Sequence, residues 1–317
     1  MIFLYAGLFI LCVLVLVKSG AISVKKLMAM SRYLRISEYI LAFVLMALAT
    51  SLPEFFVGIT SSLSKTPILS LSNVIGSNIC NLSLILGIII LVSKGLSVKS
   101  KIAKKDAWIV FFISILPLLL ILDKKLSQVD GIILLLVFGL YMRKLFKAKQ
   151  AFSKRMNTIS PTVETFQKFI KDLFIFLGAV VMLLVSAWGI VETATVIAGK
   201  INLSLTLIGL FLIAIGTSLP ELVFGIKAII TKHEGMNLGN LMGSVVINST
   251  LVLGVTALIY PIKIESFHIV LIGAIFMVLS VLIVNIFIRT KERISWKEGM
   301  ILLGIYVVFL IVELFLK

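Results

Sequence analysis

Two glutamates set in otherwise apolar stretches, Glu54 and Glu221, are the groups in this 317-residue chain best placed to do chemistry. Each follows a proline and precedes, at one fixed distance, a Gly-Ser pair and an asparagine. The first set reads Ala49-Thr50-Ser51-Leu52-Pro53-Glu54, then Asn73, Gly76-Ser77-Asn78 and Asn81. The second reads Gly216-Thr217-Ser218-Leu219-Pro220-Glu221, then Asn240, Gly243-Ser244 and Asn248. Matched residues stand 167 apart throughout: 50 with 217, 54 with 221, 77 with 244, 81 with 248. Ionisable groups in hydrocarbon are costly, so two matched sets point to one cation site built from two half-sites. A lone carboxylate in a span also has a structural reading, as a hydrogen-bond partner; the duplication at one offset is what argues for function.

Spacing and ligand chemistry narrow the site. Thr50 and Glu54 are four apart and share a helix face, as do Ser77 with Asn81, Thr217 with Glu221 and Ser244 with Asn248. Pro53 and Pro220 lack an N–H and clash with the carbonyl four residues back, which predicts loosened carbonyls from Ala47 through Thr50 and from Ala214 through Thr217. Carboxylates, hydroxyls, amides and carbonyls are hard oxygen donors, suited to Ca²⁺, Mg²⁺ or alkali ions rather than to zinc or copper. Two glutamates carry a charge that one Ca²⁺ or two Na⁺ would neutralise. No lysine follows either Gly-Ser pair, so neither is a phosphate-cradling loop. Cys12 and Cys80 lie in apolar segments without metal-ligand or disulfide spacing, and Cys80 reads as a small buried side chain. His233 and His268 have no carboxylate or Cys partners at ligand spacing and receive no role.

The elements that must position these groups are membrane spans. The chain is 60% hydrophobic, with a mean hydropathy of +1.19, above the roughly 45–50% apolar content of soluble domains. Ten spans are expected, near 2–17, 38–62, 67–92, 107–122, 130–146, 169–187, 203–230, 236–259, 267–288 and 297–316. The first lacks a basic n-region and a cleavage site, which reads as a retained helix. Of the 30 Lys and Arg residues, 24 fall in alternate loops, and six (Lys65, Lys124, Lys125, Lys200, Lys263 and Lys317) fall on the other side. The positive-inside rule then sets both termini outside. The net charge of +16 is thus a topology signal, with anionic lipid a secondary partner; basic residues so dispersed make no nucleic-acid surface. Trp108, Trp188 and Trp296 read as interfacial anchors.

The fold class expected is an all-α integral membrane protein of ten transmembrane helices in two inverted five-helix repeats. Five spans is an odd number, so the second repeat enters the membrane from the opposite side. The first repeat covers 1–146 and the second 169–317, joined by a polar cytoplasmic linker, 147–168. Asp130-Gly131 opens the fifth span as Glu298-Gly299 opens the tenth.

The motif strings resemble the α-repeats of the sodium/calcium exchanger family, within the calcium/cation antiporter superfamily, and the ten-span organisation extends the resemblance over nearly the whole chain. Small size and a short central loop are similar to prokaryotic members. The resemblance implies that Glu54 and Glu221 coordinate Ca²⁺ and also Na⁺, with the carbonyls of Thr50 and Thr217 completing the calcium site. It implies that Ser51, Ser77, Ser218 and Ser244, with the carbonyls of Ala47 and Ala214, serve flanking sodium sites, and that Asn81 and Asn248 form a polar floor. Some archaeal exchangers and the potassium-dependent branch have aspartate at the position of Asn248; the amide here argues against potassium co-transport.

The function expected is therefore a secondary antiporter of the cell membrane that exchanges Na⁺ for Ca²⁺ by alternating access, acting as a monomer without a cofactor. It is not an enzyme on this reading. Ca²⁺/H⁺ exchange on the same scaffold and, further off, a cation channel are the alternatives. A lipid enzyme is disfavoured by the absence of intramembrane histidines, of an Asp-rich motif and of a nucleophile–base pair.

Overall fold

A computed structural model describes residues 2–33, 46–98, 101–150, 163–201, 204–230, 235–290 and 292–315. Helix α1 spans Ile2–Tyr33. Helices α2 (Ala47–Thr50) and α3 (Leu52–Leu63) follow one another across the single residue Ser51. Helix α4 (Ile68–Ile79) passes through a π-helical turn, Cys80–Ile85, into α5 (Leu86–Val92). Strand β1 (Leu96–Ser97), α6 (Lys101–Leu120), β2 (Lys125–Leu126) and α7 (Gln128–Gln150) complete the first half.

The second half runs through the same order. Helix α8 spans Val163–Ile201. Helix α9 (Leu205–Ile208), a π turn over Gly209–Ile213 and α10 (Ala214–Thr217) lead across Ser218 to α11 (Leu219–Ile230). Helix α12 (Gly235–Ile247) passes through the π turn Asn248–Val252 into α13 (Leu253–Ile259). Strand β3 (Ile262–Lys263), α14 (Phe267–Thr290), β4 (Arg293–Ile294) and α15 (Trp296–Phe315) close the chain. Helices α7 and α15 start on the same device. Asp130 Oδ2 accepts from the N–H and hydroxyl of Ser127 at 2.8 and 2.7 Å, and Glu298 Oε2 accepts from those of Ser295 at 2.6 and 2.9 Å. Each carboxylate satisfies a backbone donor that the helix start leaves orphaned.

Among the described residues, six helical runs are long and apolar enough to cross a membrane: Phe3–Ser23, Ile68–Val92, Gln167–Lys200, Leu205–Ile230, Met236–Ile259 and Phe267–Thr290. The expected second span is described only from Met46 onward, and charged residues shorten the apolar stretches of α6, α7 and α15. The protein is an all-α membrane protein. Phe3, Leu11, Leu136, Leu140, Phe174, Val185, Ile275 and Val308 are all exposed on its outside, a surface that only lipid covers favourably.

Helices α1 and α8 run well past their expected ends at 17 and 187. At 32 and 39 residues they are about 48 and 58 Å long against a hydrocarbon core of about 30 Å, so they tilt or project beyond it. Polarity marks where lipid ends, not where a helix must stop; Lys, Leu, Met and Ala continue α1 as good helix formers. The two pack along each other around Leu16, Leu183, Ala187, Ile190 and Ala194, a cluster that also takes in Phe56 and Val57 of α3. Near one end, Lys26 Nζ meets Asp172 Oδ1 at 2.6 Å. The remaining helices share a larger core around Val74, Ile79, Leu86, Val246, Leu253 and Met277.

Two antiparallel clasps tie the halves together. Strand β1 pairs with β4 (Leu96 opposite Ile294), and β2 pairs with β3 (Lys125 opposite Lys263). Helices α7 and α8 run into the edges of the expected linker, and its centre, 151–162, lies outside the described residues, as does His233. Trp108, Trp188 and Trp296 are exposed, and the Arg289 guanidinium lies 5.5 Å over the Trp108 ring. Trp188 is embedded well within α8 rather than at its end, a consequence of that helix's extra length.

Candidate functional site

The prolines interrupt the motif helices by one residue each. Ser51 (φ −83°, ψ 3°) and Ser218 (φ −85°, ψ 0°) separate α2 from α3 and α10 from α11. The break is narrower than the sequence predicts. Ala47 O still accepts from Ser51 N at 3.0 Å, and Ala214 O from Ser218 N at 3.1 Å. These two carbonyls are therefore bonded rather than freed, though each retains a second lone pair. The chain resumes as helix at once, which puts Glu54 and Glu221 in the first turns of α3 and α11. That end of a helix carries partial positive charge and favours an anion.

Each half reaches into the other. Thr50 Oγ1 lies 3.4 Å from Asn240 Oδ1 and 3.3 Å from Ser244 Oγ. Thr217 Oγ1 lies 3.2 Å from Asn73 Oδ1 and 3.2 Å from Ser77 Oγ. Both threonine hydroxyls also approach the carbonyl three residues back, Ala47 O at 3.4 Å and Ala214 O at 3.3 Å. Ser77 Oγ reaches Ala214 O at 3.5 Å, and Ser244 Oγ donates to Glu221 Oε1 at 3.4 Å. Glu54 and Glu221 are each fully enclosed and lie within Coulombic range of one another. Thr50, Ser51, Ser77, Asn81, Thr217, Ser218, Ser244 and Asn248 are likewise buried.

Several of these groups have unspent hydrogen-bonding capacity. Both oxygens of Glu54, Oε2 of Glu221, Oδ1 of Asn81 and Asn248, and the hydroxyls of Ser51 and Ser218 are buried without a hydrogen-bond partner. Buried polar atoms in folded proteins are almost always satisfied, so a concentration of lone pairs beside two carboxylates is chemically a cation-binding set. No cluster of three or more His, Cys, Asp or Glu side chains occurs among the described residues. The donor set is thus two carboxylates with neutral oxygens around them, which suits hard ions of low to moderate charge.

Hydrogen-bond-range contacts link Ala47, Thr50, Ser77, Ala214, Thr217, Glu221 and Ser244 across the two halves; Glu54, Ser51, Ser218 and Asn81 are buried without side-chain hydrogen-bond partners, and Asn248 is bonded to Asn78. Three features were not assigned from the sequence. Asn73 and Asn240 accept from the threonines of the opposite half; their matched offset was the available signal. Asn78 accepts from Asn248 Nδ2 at 3.3 Å and donates to Ser249 Oγ at 3.0 Å, and no offset partner announces it, because position 245 is valine. Tyr306 lies near the buried thiol of Cys80, which forms no disulfide.

Two of the π turns, Cys80–Ile85 and Asn248–Val252, share a side-chain feature. The hydroxyl of Ser83 donates to Ile79 O, and that of Thr250 donates to Val246 O at 2.6 Å. Both are i to i−4 contacts of a kind that also occurs in unbroken α-helix at Thr60, Ser186, Thr193 and Ser280, and the π turn Gly209–Ile213 has no hydroxyl residue, so they accompany these two turns without accounting for them. Residues 83 and 250 are themselves 167 apart. The widened turns begin at or next to Asn81 and Asn248.

Comparison with known proteins gives a consistent picture. The family model described as sodium/calcium exchanger protein matches residues 4–146 and 171–315. The inner membrane protein YrbG of Escherichia coli is 31% identical over 282 residues, 87% of this chain and 86% of that one. The sodium/calcium exchanger MaX1 of Methanosarcina acetivorans is 27% identical over 94% of this chain and 95% of its own. A solved structure of the sodium-calcium exchanger NCX_Mj, soaked with Na⁺ and Sr²⁺, superposes with a TM-score of 0.69 at 27% identity, covering 97% of this chain and 98% of that one.

Proposed function

This chain belongs to the sodium/calcium exchanger family, and from that premise we propose that it is an antiporter coupling inward Na⁺ flow to the expulsion of Ca²⁺. It is a multi-pass cell-membrane protein of a transporter family. The observation that carries the proposal is the pair Glu54 and Glu221, one from each half, buried together with unpartnered oxygens. Crossing the bilayer with both carboxylates charged and uncompensated is strongly disfavoured. A bound Ca²⁺, or Na⁺ ions in its place, removes that penalty. The carrier therefore returns only loaded, which makes transport an exchange.

In this proposal Glu54, Glu221 and the carbonyls of Thr50 and Thr217 hold Ca²⁺. Ser51, Ser77, Ser218 and Ser244, with the carbonyls of Ala47 and Ala214, serve Na⁺, and Asn81 and Asn248 supply neutral amide oxygens. Ten spans in two inverted repeats, 1–146 and 169–317 around the linker 147–168, with both termini outside and a monomer as the working unit, complete it. The strand clasps support the ten-span reading. Each joins two loops that six or four crossings separate, an even number in both cases, so each pair of loops shares a side of the membrane. The matched offset of 167 and the reciprocal threonine contacts support the repeat.

The test is ⁴⁵Ca²⁺ efflux from proteoliposomes under an imposed Na⁺ gradient. Efflux that tracks the Na⁺ gradient and survives a proton uncoupler is expected. The same buried carboxylates would be neutralised equally well by protons, which supports Ca²⁺/H⁺ exchange as the second reading. Sodium-independent efflux that collapses with the pH gradient would establish it instead.

A further inference from the structure

We infer that Asn78 is a positioning residue that fixes which end of the Asn248 amide faces the ions. The inference rests on the exchanger reading of the site. An asparagine side chain has one acceptor oxygen and one donor nitrogen on nearly superposable positions, so what it offers a cation depends on what holds it. Asn248 is fully buried. Its Nδ2 is spent on Asn78 Oδ1 at 3.3 Å, while its Oδ1 has no hydrogen-bond partner. Asn78 is in turn held from behind: its Nδ2 donates to Ser249 Oγ at 3.0 Å and lies 3.8 Å from Met277 Sδ. The chain Ser249–Asn78–Asn248 thus occupies the nitrogen of Asn248 and leaves its oxygen as a fixed neutral ligand.

The device exists in one half only. Asn81, the repeat equivalent of Asn248, has neither amide atom bonded. The equivalents of Asn78 and Ser249 are Val245 and Leu82, which can neither donate nor accept. The site therefore combines one locked amide with one that is free to turn, an asymmetry that the matched motif conceals. A locked oxygen favours cation occupancy at its end, whereas a free amide adapts to whichever ion is present.

The lock makes a further statement about position 248. Asn248→Asp would set a carboxylate oxygen against Asn78 Oδ1. Asn78 can relieve the clash by turning over, because the Ser249 hydroxyl donates as readily as it accepts. Asn248→Asp should therefore fold with Asn78 present.

The experiment is equilibrium Ca²⁺ binding to the purified full-length protein, read as the Ca²⁺ concentration dependence of the thermal midpoint. Asn78→Ala should weaken binding about fivefold, the equivalent of one neutral hydrogen bond. Asn248→Ala should weaken it at least as much, and the double variant should bind no more weakly than Asn248→Ala alone, because Asn78 acts through that amide. If Asn78→Ala does not fold, Ser249→Ala reads the chain from its far end. Its loss should be smaller, in the same direction, and absent in the Asn248→Ala background. A double variant whose loss is the product of the two single losses overturns the inference. So does wild-type binding in both Asn78→Ala and Ser249→Ala. A wild-type protein that binds no Ca²⁺ sinks the exchanger reading and this inference with it; intact wild-type binding with unaltered variants sinks this inference alone.

Discussion

Gly76→Ala tests whether the two halves must touch at backbone distance for the site to exist. Gly76 immediately precedes Ser77 in α4 and faces the π turn before α10. A Cβ there would lie 2.1 Å from Leu210 O, 2.8 Å from the Leu210 carbonyl carbon and 2.7 Å from Ala214 Cβ. Carbon–oxygen contacts close at about 3.3 Å, so the seam must open by about 1.2 Å. Along it, Ser77 Oγ stands 3.2 Å from Thr217 Oγ1 and 3.5 Å from Ala214 O, and Thr217 Oγ1 stands 3.2 Å from Asn73 Oδ1. An opening of that size carries all three to about 4.4 Å or beyond, outside hydrogen-bonding range. Overpacking costs about 1–3 kcal/mol, and the lost bonds add about 1 kcal/mol each. The gain of about 1 kcal/mol from replacing glycine in a helix is too small to offset this. The control is Gly139→Ala in α7, where a Cβ meets nothing within 4 Å. Thermal midpoints and Ca²⁺ titrations of both variants decide the matter. Gly76→Ala should melt lower and lose roughly tenfold or more in Ca²⁺ affinity, while Gly139→Ala stays at or slightly above wild type. Wild-type stability and affinity in Gly76→Ala would refute the argument that this contact sets the site.

Glu54→Gln and Glu221→Gln should each abolish Ca²⁺ flux in proteoliposomes without lowering the thermal midpoint of the ion-free protein, since each removes a buried charge that no cationic side chain among the described residues balances. Lys26→Ala leaves Asp172, whose side chain is only 6% exposed, without its cation and should cost about 3 kcal/mol; Lys26→Ala combined with Asp172→Ala should recover most of the lost thermal midpoint. Topology is checked by single cysteines in a background lacking Cys12 and Cys80. In whole cells an impermeant maleimide should label Lys65→Cys and Lys263→Cys directly, and Lys94→Cys and Arg293→Cys only after permeabilisation. The reverse pattern would overturn both the assignment of sides and the proposed direction of transport.

The apolar periodicity and the repeated motif carry most of the helical order, because lipid admits few other solutions for a chain this hydrophobic. Starts and ends were less legible. Lys18 reads as the close of a span, yet α1 continues to Tyr33, since a helix can leave the membrane and remain a helix. Among the site residues, those duplicated at one offset could be found by comparing the chain with itself. Asn78, Ser249 and Tyr306 could not, because the structure uses them in one half only. The carbonyls of Ala47 and Ala214 show the limit of local rules. Proline forbids one hydrogen bond, but the chain confines the damage to Ser51 and Ser218 and keeps the neighbouring bonds. The π turns were not legible, because the hydroxyl contacts of Ser83 and Thr250 recur in unbroken helix and the turn at Gly209–Ile213 has none.

The clasps between strands constrain how the molecule is made. Residue 96 finds its partner only at 294, and 126 only at 262, so neither staple can close during synthesis of the first half. Ser244, which meets Thr50 and donates to Glu221, is also still to come when Glu54 enters the bilayer. At about 5–20 residues per second, the 240 residues between Glu54 and Ile294 take roughly 10–50 seconds to emerge from the ribosome. Throughout that interval a nascent half-transporter holds an acid in lipid with only half its shelter built. Biogenesis must tolerate that orphan, and a chain truncated before β4 should be a substrate for membrane quality control rather than a slower carrier.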